Sequence, residues 1–148
     1  MKLIIAFDPK GGIGYQGRLP WDKLQGDLPR FKELTTGKIV LMGRNTFDSL
    51  PNKTLPNRTM WIMTTRPIDD VVTPDNASVL KEGREVWLIG GAKMIESYWQ
   101  YIDEIHLSRT FAEDTCDTFI DLLKLENEFM CWQKENFADH SYEIWKRK

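Results

Sequence analysis

The chain has 148 residues, 20 Lys plus Arg, 22 Asp plus Glu and a formal net charge of −2. The length suits a single domain over residues 1–148, and 41% apolar with 28% charged residues excludes a disordered chain. The near-neutral balance gives no electrostatic footprint for nucleic acid, and no stretch approaches the ~20 apolar residues of a membrane span.

The first apolar run, Lys2 to Phe7, has no polar interruption and predicts a strand buried on both faces. It is too short for a signal peptide. Asp8-Pro9-Lys10-Gly11-Gly12 then opens a long loop that continues through Gly14, Gly17 and Pro20 to Trp21. Loops of that length in a compact domain are usually lids or binding loops. From Asp27 to Thr35 the period turns helical, with Leu28, Phe31 and Leu34 at intervals of three. Pro29 falls in the first turn, where a missing N–H costs little, and Gly37 closes the helix. Lys38 to Met42 predicts a second buried strand, and Gly43 to Leu50 a short helix. Pro51 to Asn57 is a turn-rich connection, Thr59 to Thr64 a third strand, and Arg66 to Asn76 a polar loop.

Ser78 to Leu80 reads as a brief strand and Glu85 to Ile89 as a clear buried one. Gly90-Gly91 leads directly into an amphipathic helix over Ala92 to Tyr101. Glu104 to Ser108 is another strand. Alternating segments at Phe129–Lys134 and Tyr142–Lys146 fit antiparallel strands. Strands alternating with helices and then giving way to strands predict an α/β fold. Its centre is a mostly parallel twisted sheet with flanking helices and an antiparallel C-terminal hairpin. Ligands of such sheets bind outside the carboxyl ends of the strands.

Three features fall at those ends. Gly43-Arg44-Asn45-Thr46 places backbone N–H groups, a guanidinium and a hydroxyl where a strand gives way to a helix, an arrangement suited to an anion. It equally fits a glycine turn with a capped helix. Gly90-Gly91 repeats the arrangement and lets a ligand approach the backbone closely, or makes a tight turn. Thr64-Thr65-Arg66 adds two hydroxyls and an arginine suited to phosphate, or is exposed loop polarity. Together they suit a long ligand with several phosphates, although neither a Gly-x-Gly-x-x-Gly fingerprint nor a Walker loop occurs. Asp27 shares a helix face with Phe31, and a carboxylate on an otherwise apolar face needs a partner. It also fits a first-turn acid favoured by the helix dipole. Arg58 precedes the third strand and is a candidate for a ligand carboxylate or a solvated surface residue. His106 and His140 carry no assigned role. Cys116 and Cys131 lack metal-ligand spacing and are expected to be reduced thiols. The acids from Glu113 to Asp121 match no EF-hand loop, so no metal is expected. Of the six Trp, five (Trp61, Trp87, Trp99, Trp132 and Trp145) are expected to serve packing.

The combined pattern resembles dihydrofolate reductase. The matching segments, in family order, begin with Ile13-Gly14, Leu19-Pro20-Trp21 and Asp27-Leu28 with Phe31-Lys32. Met42-Gly43-Arg44-Asn45-Thr46-Phe47 with Ser49-Leu50, Leu55-Pro56-Asn57-Arg58, Ile89-Gly90-Gly91 and Asp117-Thr118-Phe119 follow. The resemblance implies reduction of 7,8-dihydrofolate to tetrahydrofolate with NADPH, by hydride transfer from nicotinamide C4 to pterin C6. Protonation of N5 through water, aided by Asp27, accompanies it. Asp27, Trp21 and Leu19 match the catalytic positions. Ile4, Ala6, Leu28, Phe31, Lys32, Leu50, Leu55, Arg58, Ile89 and Ser108 join Asp27 in the substrate pocket, with Arg58 gripping the glutamate α-carboxylate. The cofactor positions are Ala6, Ile13, Gly14, Gly17, Leu19, Gly43, Arg44, Asn45, Thr46, Thr64, Thr65, Arg66, Ile89, Gly90, Gly91, Ala92, Lys93, Met94 and Ile95.

The same resemblance implies a cis peptide at the double glycine and a mobile loop over Pro9 to Asp22 that closes on the nicotinamide. Antifolate inhibitors are expected in the same pocket. Ile95 stands where the family often has Tyr, leaving Ser108 or water to supply a hydroxyl. Between Arg66 and Glu85 the chain reads as too short for the helix many relatives place beside the adenine. A cytoplasmic monomer with no nucleic-acid or membrane partner is expected. Two rivals remain: a reductase of the same fold acting on another pterin or pyrimidine, and a non-catalytic nucleotide-binding module. Asp27 and Arg58 together argue against the first, and the presence of Asp27 against the second.

Overall fold

The computed structural model describes residues 1–16, 20, 24 and 26–148. Its strands are β1 (Lys2–Phe7), β2 (Gly12–Gly14), β3 (Ile39–Gly43), β4 (Thr59–Met63), β5 (Val86–Leu88), β6 (Glu104–Thr110), β7 (Thr118–Phe119), β8 (Phe129–Asn136) and β9 (His140–Arg147). Its helices are α1 (Asp27–Thr35), α2 (Arg44–Ser49), α3 (Asn76–Lys81), α4 (Ala92–Tyr98) and α5 (Leu122–Glu128), with a 3-10 turn at Trp99–Tyr101. Seven strands form one sheet in the order β4-β3-β5-β1-β6-β9-β8. The first five are mutually parallel, and β9 runs antiparallel to β6 and to β8. The expected architecture is thus observed.

Alternation along β3 sets the two faces. Ile39 and Leu41 join a cluster with Leu3, Phe7, Leu88, Trp99 and Leu107. Val40 and Met42 point the other way, to Phe47 and Ile62. Each fully buried side chain of this size contributes roughly 1.5–3 kcal/mol. β1 departs from the expectation of burial on both faces. Leu3 and Phe7 are fully buried, whereas Ile4, Ile5 and Ala6 are only partly covered. Ile4 and Ala6 share one face of the strand.

Further expectations are corrected. Residues 78–80 are not a strand. Asp75 accepts the Ser78 N–H at 2.7 Å and caps α3, and Val79 is buried in the core. A helix therefore does fit between Arg66 and Glu85, although the segment reads as too short for one. The first loop carries β2, which pairs antiparallel with β7, and α5 follows, capped by Asp121 on the Lys124 N–H at 3.1 Å. Buried Asp8 fixes this region. Its carboxylate accepts N–H bonds from Lys10 at 2.9 Å, Gly12 at 2.8 Å and Asp114 at 3.1 Å. Burial alone would raise its pKa, but these donors hold it below the ordinary value. Finally, Trp61, Trp87 and Trp99 are buried as expected, but Trp132 is 57% exposed, with the Lys146 ammonium 3.7 Å from its ring centroid.

At the amino ends of the parallel strands, charge replaces apolar packing. Lys2 of β1 meets Glu85 at 2.5 Å and Glu104 at 3.2 Å, and Lys38 meets Glu85 at 2.9 Å. The starts of β1, β3, β5 and β6 are thereby tied. Partial burial would push the Glu85 carboxyl up, but Lys2 and Lys38 outweigh it and bring its pKa down to about 2. A carboxyl lowered on folding stabilises the fold above its unfolded pKa and loses that contribution as pH falls through the folded one. Glu85→Gln should therefore melt below wild type at pH 7. The gap should close as the pH is taken from 4.5 towards about 2. An equal gap at both ends of that range would reject the assignment.

Candidate active site

The parallel strands deliver their carboxyl ends to one edge of the sheet, and residues 43–46, 64–66 and 90–91 gather there. Leu41 accepts the Ile89 N–H at 2.9 Å, and Gly90 accepts the Gly43 N–H at 2.9 Å. The turns after β3 and β5 are therefore held together by the sheet's own hydrogen bonding. A Cβ on Gly43 would come within 3.2 Å of Met94 Cγ, so a larger residue would crowd α4. Gly90 has φ +131 and precedes a cis peptide to Gly91. The Thr46 hydroxyl lies 3.3 Å from where a Gly90 Cβ would stand. The cis peptide implied by the resemblance is present.

Beside this pair, β4 ends at Met63 and runs into Thr64-Thr65-Arg66, where Thr64 Oγ1 accepts the Arg66 N–H at 3.1 Å. Thr65 and Arg66 are exposed. Arg44 and Asn45 are exposed as well, and the Arg44 Nε lies 3.2 Å from both carboxylate oxygens of Asp48. Strands β4, β3 and β5 are adjacent. Neighbouring strands lie about 4.8 Å apart, so the three donor groups form a row roughly 10 Å long. Ala92, Lys93, Met94 and Ile95 begin α4 beside it. Ile95 is buried, and a cavity of about 310 Å³ lies against Ile13, Ala92, Ile95 and Trp99. A larger one, about 460 Å³, lies at the opposite end of the sheet around Met1, Lys2 and Val86, far from these residues.

Asp27 begins α1. Gly26 enters the helix with φ 74, and the acid occupies the first turn, where the helix dipole favours it. Its Oδ1 accepts a 2.6 Å hydrogen bond from Ser108 Oγ. Ser108 is buried on β6 directly opposite Ala6 of β1. The sheet thus supplies a hydroxyl that fixes the carboxylate. An Arg30 guanidinium nitrogen stands 3.7 Å from the same oxygen. The surroundings of Asp27 are therefore more polar than the apolar helix face predicted. Ile4, Phe31, Leu50, Leu55 and Ile89 are half-buried, Leu28 is 56% exposed and Lys32 is exposed.

Arg58 is set against α1, one to two turns beyond Asp27. Its Nε donates to the Pro56 carbonyl at 3.0 Å, one Nη donates to Thr35 Oγ1 at 3.2 Å, and Phe31 lies beneath it with 5.8 Å to the ring centroid. Burial lowers the pKa of the guanidinium. No carboxylate pairs with it among the described residues, so a half-buried cation is held in place by neutral acceptors. Gly17, Leu19 and Trp21 lie outside the described residues. Arg30, Tyr142, His106 and His140, which sequence reasoning left without roles, stand behind Asp27. Both histidines are buried.

The glycine turn yields a test. At φ +131 an alanine is strained and meets Thr46. Gly90→Ala should therefore lose on the order of 1–3 kcal/mol of unfolding free energy in urea titration. An unchanged midpoint would show that this backbone is free to relax.

A family model described as dihydrofolate reductase matches residues 1–146. The chain is 32% identical over 160 residues to dihydrofolate reductase type 8 of Escherichia coli, covering 98% of this chain and 94% of that protein. It is 38% identical over 131 residues, 80% of its length, to the bifunctional dihydrofolate reductase-thymidylate synthase of Paramecium tetraurelia, of which it spans 27%. A solved structure, dihydrofolate reductase from Enterococcus faecalis complexed with NADP(H) and RAB-propyl, superposes with a TM-score of 0.82 at 28% identity. That match covers 99% of this chain and 95% of the other.

Proposed function

The chain belongs to the dihydrofolate reductase family, and from that premise we propose that it reduces 7,8-dihydrofolate to tetrahydrofolate with NADPH at the carboxyl edge of its sheet. The observation that carries this reading is the placement of Asp27. One carboxylate is fixed by Ser108 at 2.6 Å, and further along the same helix, at Phe31 and Thr35, stands Arg58, a cation with only neutral partners among the described residues. An amino-pterin ring needs a carboxylate that accepts two parallel N–H bonds, here from its 2-amino group and N3. A glutamate tail needs a cation at the far end of the same cleft. Ile4, Ala6, Phe31, Leu50, Leu55 and Ile89 supply the apolar walls between them, and Leu28 and Lys32 flank the entrance.

The row of donors along β4, β3 and β5 fits the nucleotide. Thr64, Thr65 and Arg66 would hold a 2′-phosphate, which favours NADPH over NADH. Arg44, Asn45 and Thr46, with the backbone of Gly43, Gly90 and Gly91, would hold the linking phosphates. The cradle at Gly43 and Gly90 suits this role, since a side chain at either would fill it. Ala6, Ile13, Gly14 and the start of α4 would border the nicotinamide. When bound, the nicotinamide supplies the hydride.

The residues of the chain orient and protonate. Asp27 fixes the ring so that C6 faces the cofactor side, the positional part of the catalysis. Protonation of N5 comes through water and is aided by the negative charge of Asp27. Ser108, rather than a hydroxyl at position 95, steadies the acid. Antifolate inhibitors that present the same donor pair would compete for Asp27. The reading takes the protein as a cytoplasmic monomer.

NADPH oxidation at 340 nm with dihydrofolate tests this directly. Folded wild-type protein should turn over, and Asp27→Asn should lose most activity at neutral pH, a drop of about 10²-fold or more, while still binding NADPH. Wild-type-like turnover by Asp27→Asn would overturn the role of the acid. Arg58→Ala should raise KM for dihydrofolate far more than for a pterin lacking the glutamate. Equal losses on the two substrates would refute carboxylate binding.

A further inference from the structure

Behind Asp27 lies a charged chain that the reaction above does not use. One Arg30 guanidinium nitrogen is 3.7 Å from Asp27 Oδ1 but 2.8 Å from His140 Nε2. A guanidinium has only donors. His140 Nε2 is therefore the acceptor, and the ring proton is on Nδ1. That nitrogen donates to Asp139 Oδ1 at 2.6 Å. His140 is fully buried, and its ring stacks on Phe137 at 9° with 5.1 Å between centroids. The Arg30 guanidinium carbon is 5.3 Å from the Phe137 centroid and 4.1 Å from that of Tyr142.

Tyr142 is held in turn. Its hydroxyl bonds His106 Nδ1, and His106 Nε2 is 2.9 Å from Glu104 Oε2. With Glu104 taking the Nε2 proton, Nδ1 accepts from the tyrosine. Burial pushes Tyr142 up to about 12 and pulls His106 below its ordinary value, consistent with a neutral phenol and a neutral imidazole.

Left to itself, a guanidinium beside a carboxylate closes to about 2.8 Å and forms charge-assisted bonds. Here the short bond goes to a neutral histidine, and the carboxylate is left at 3.7 Å, too far for a hydrogen bond. We propose that the Asp139–His140 pair, with Phe137 and Tyr142, restrains Arg30 from closing on Asp27, so that the carboxylate oxygens stay available to the substrate. Arg30 and His140 are positioning residues in this arrangement, which rests on Asp27 being the substrate-binding acid. Arg30 remains near enough to offset the cost of a partly buried anion without capturing it.

The consequence is an unusual epistasis. His140→Leu releases Arg30 to pair with Asp27, so KM for dihydrofolate should rise about tenfold or more, the scale of one charge-assisted bond lost to competition. KM for NADPH should hold. Removing the competitor as well, in Arg30→Met/His140→Leu, should bring KM for dihydrofolate back down by several-fold. His140→Gln, which keeps an acceptor, should stay near wild type. If His140→Leu acted merely by loosening the fold, the double variant would be worse than the single one, and that result would overturn the proposal. Side-chain ¹⁵N NMR of His140 in the ligand-free protein gives a readout independent of turnover. Wild type should show a protonated Nδ1 and an accepting Nε2, with the Nε2 signal moving in Arg30→Met. An unmoved signal overturns the proposal whether or not dihydrofolate is a substrate, whereas failure of wild type to oxidise NADPH with dihydrofolate overturns only the activity.

Discussion

Five parallel strands can pair only if each begins at the same edge of the sheet and the chain crosses back between them. That constraint places the residues proposed to hold the cofactor. It brings the ends of β4, β3 and β5 side by side, so that residues 64–66, 43–46 and 90–91 become one continuous row although they are scattered in sequence. It sets Ser108 opposite Ala6, because β6 runs parallel to β1 in the register that starts at Lys2 and Glu104. The same alignment collects the strand beginnings at the other edge, where Lys2, Lys38, Glu85 and Glu104 neutralise one another. The charges that tie the strand beginnings are thus kept on the edge opposite residues 43–46, 64–66 and 90–91.

The two sides of the cleft were unequally legible in the sequence. The side proposed for the nucleotide is built from turns that immediately follow strands. Its glycines, hydroxyls and arginines are adjacent in the chain, so short segments announce it. The acid side is assembled from distance. Ser108 reaches Asp27 across 81 positions, and His140 reaches Arg30 across 110. No local period encodes such pairs. Arg30 and His140 therefore read as an ordinary helical cation and an unassigned histidine until the sheet brings them together.

The misread segments have local physical reasons. Residues 78–80 look like a strand because Val79 and Leu80 form an apolar pair in a polar stretch, yet the Asp75 cap and the buried Val79 make one short helix sufficient. An Asp three positions ahead of an exposed Ser was the available signal. The β2–β7 ribbon is too short to show alternation, and it depends on Asp8 drawing the Gly12 and Asp114 N–H groups together. Trp132 lies on β8, whose side chains are exposed from Met130 to Asn136. With no element among the described residues packed over these side chains, Trp132 meets the Lys146 ammonium rather than a core.

The most consequential difference between expectation and structure concerns Asp27. An acid on an apolar helix face suggests a carboxylate isolated in hydrocarbon, where burial without partners is costly. The structure gives it a hydroxyl and a restrained guanidinium instead, both directed at Oδ1. A neutral donor such as Ser108 can turn with a ligand, because a hydroxyl rotates to suit its partner. A guanidinium free to close would not yield so readily, since its bond to a carboxylate is about twice as strong. Holding the cation on a histidine separates two requirements that otherwise conflict. The anion is compensated within the fold, and its bonding capacity is kept for whatever enters the cleft.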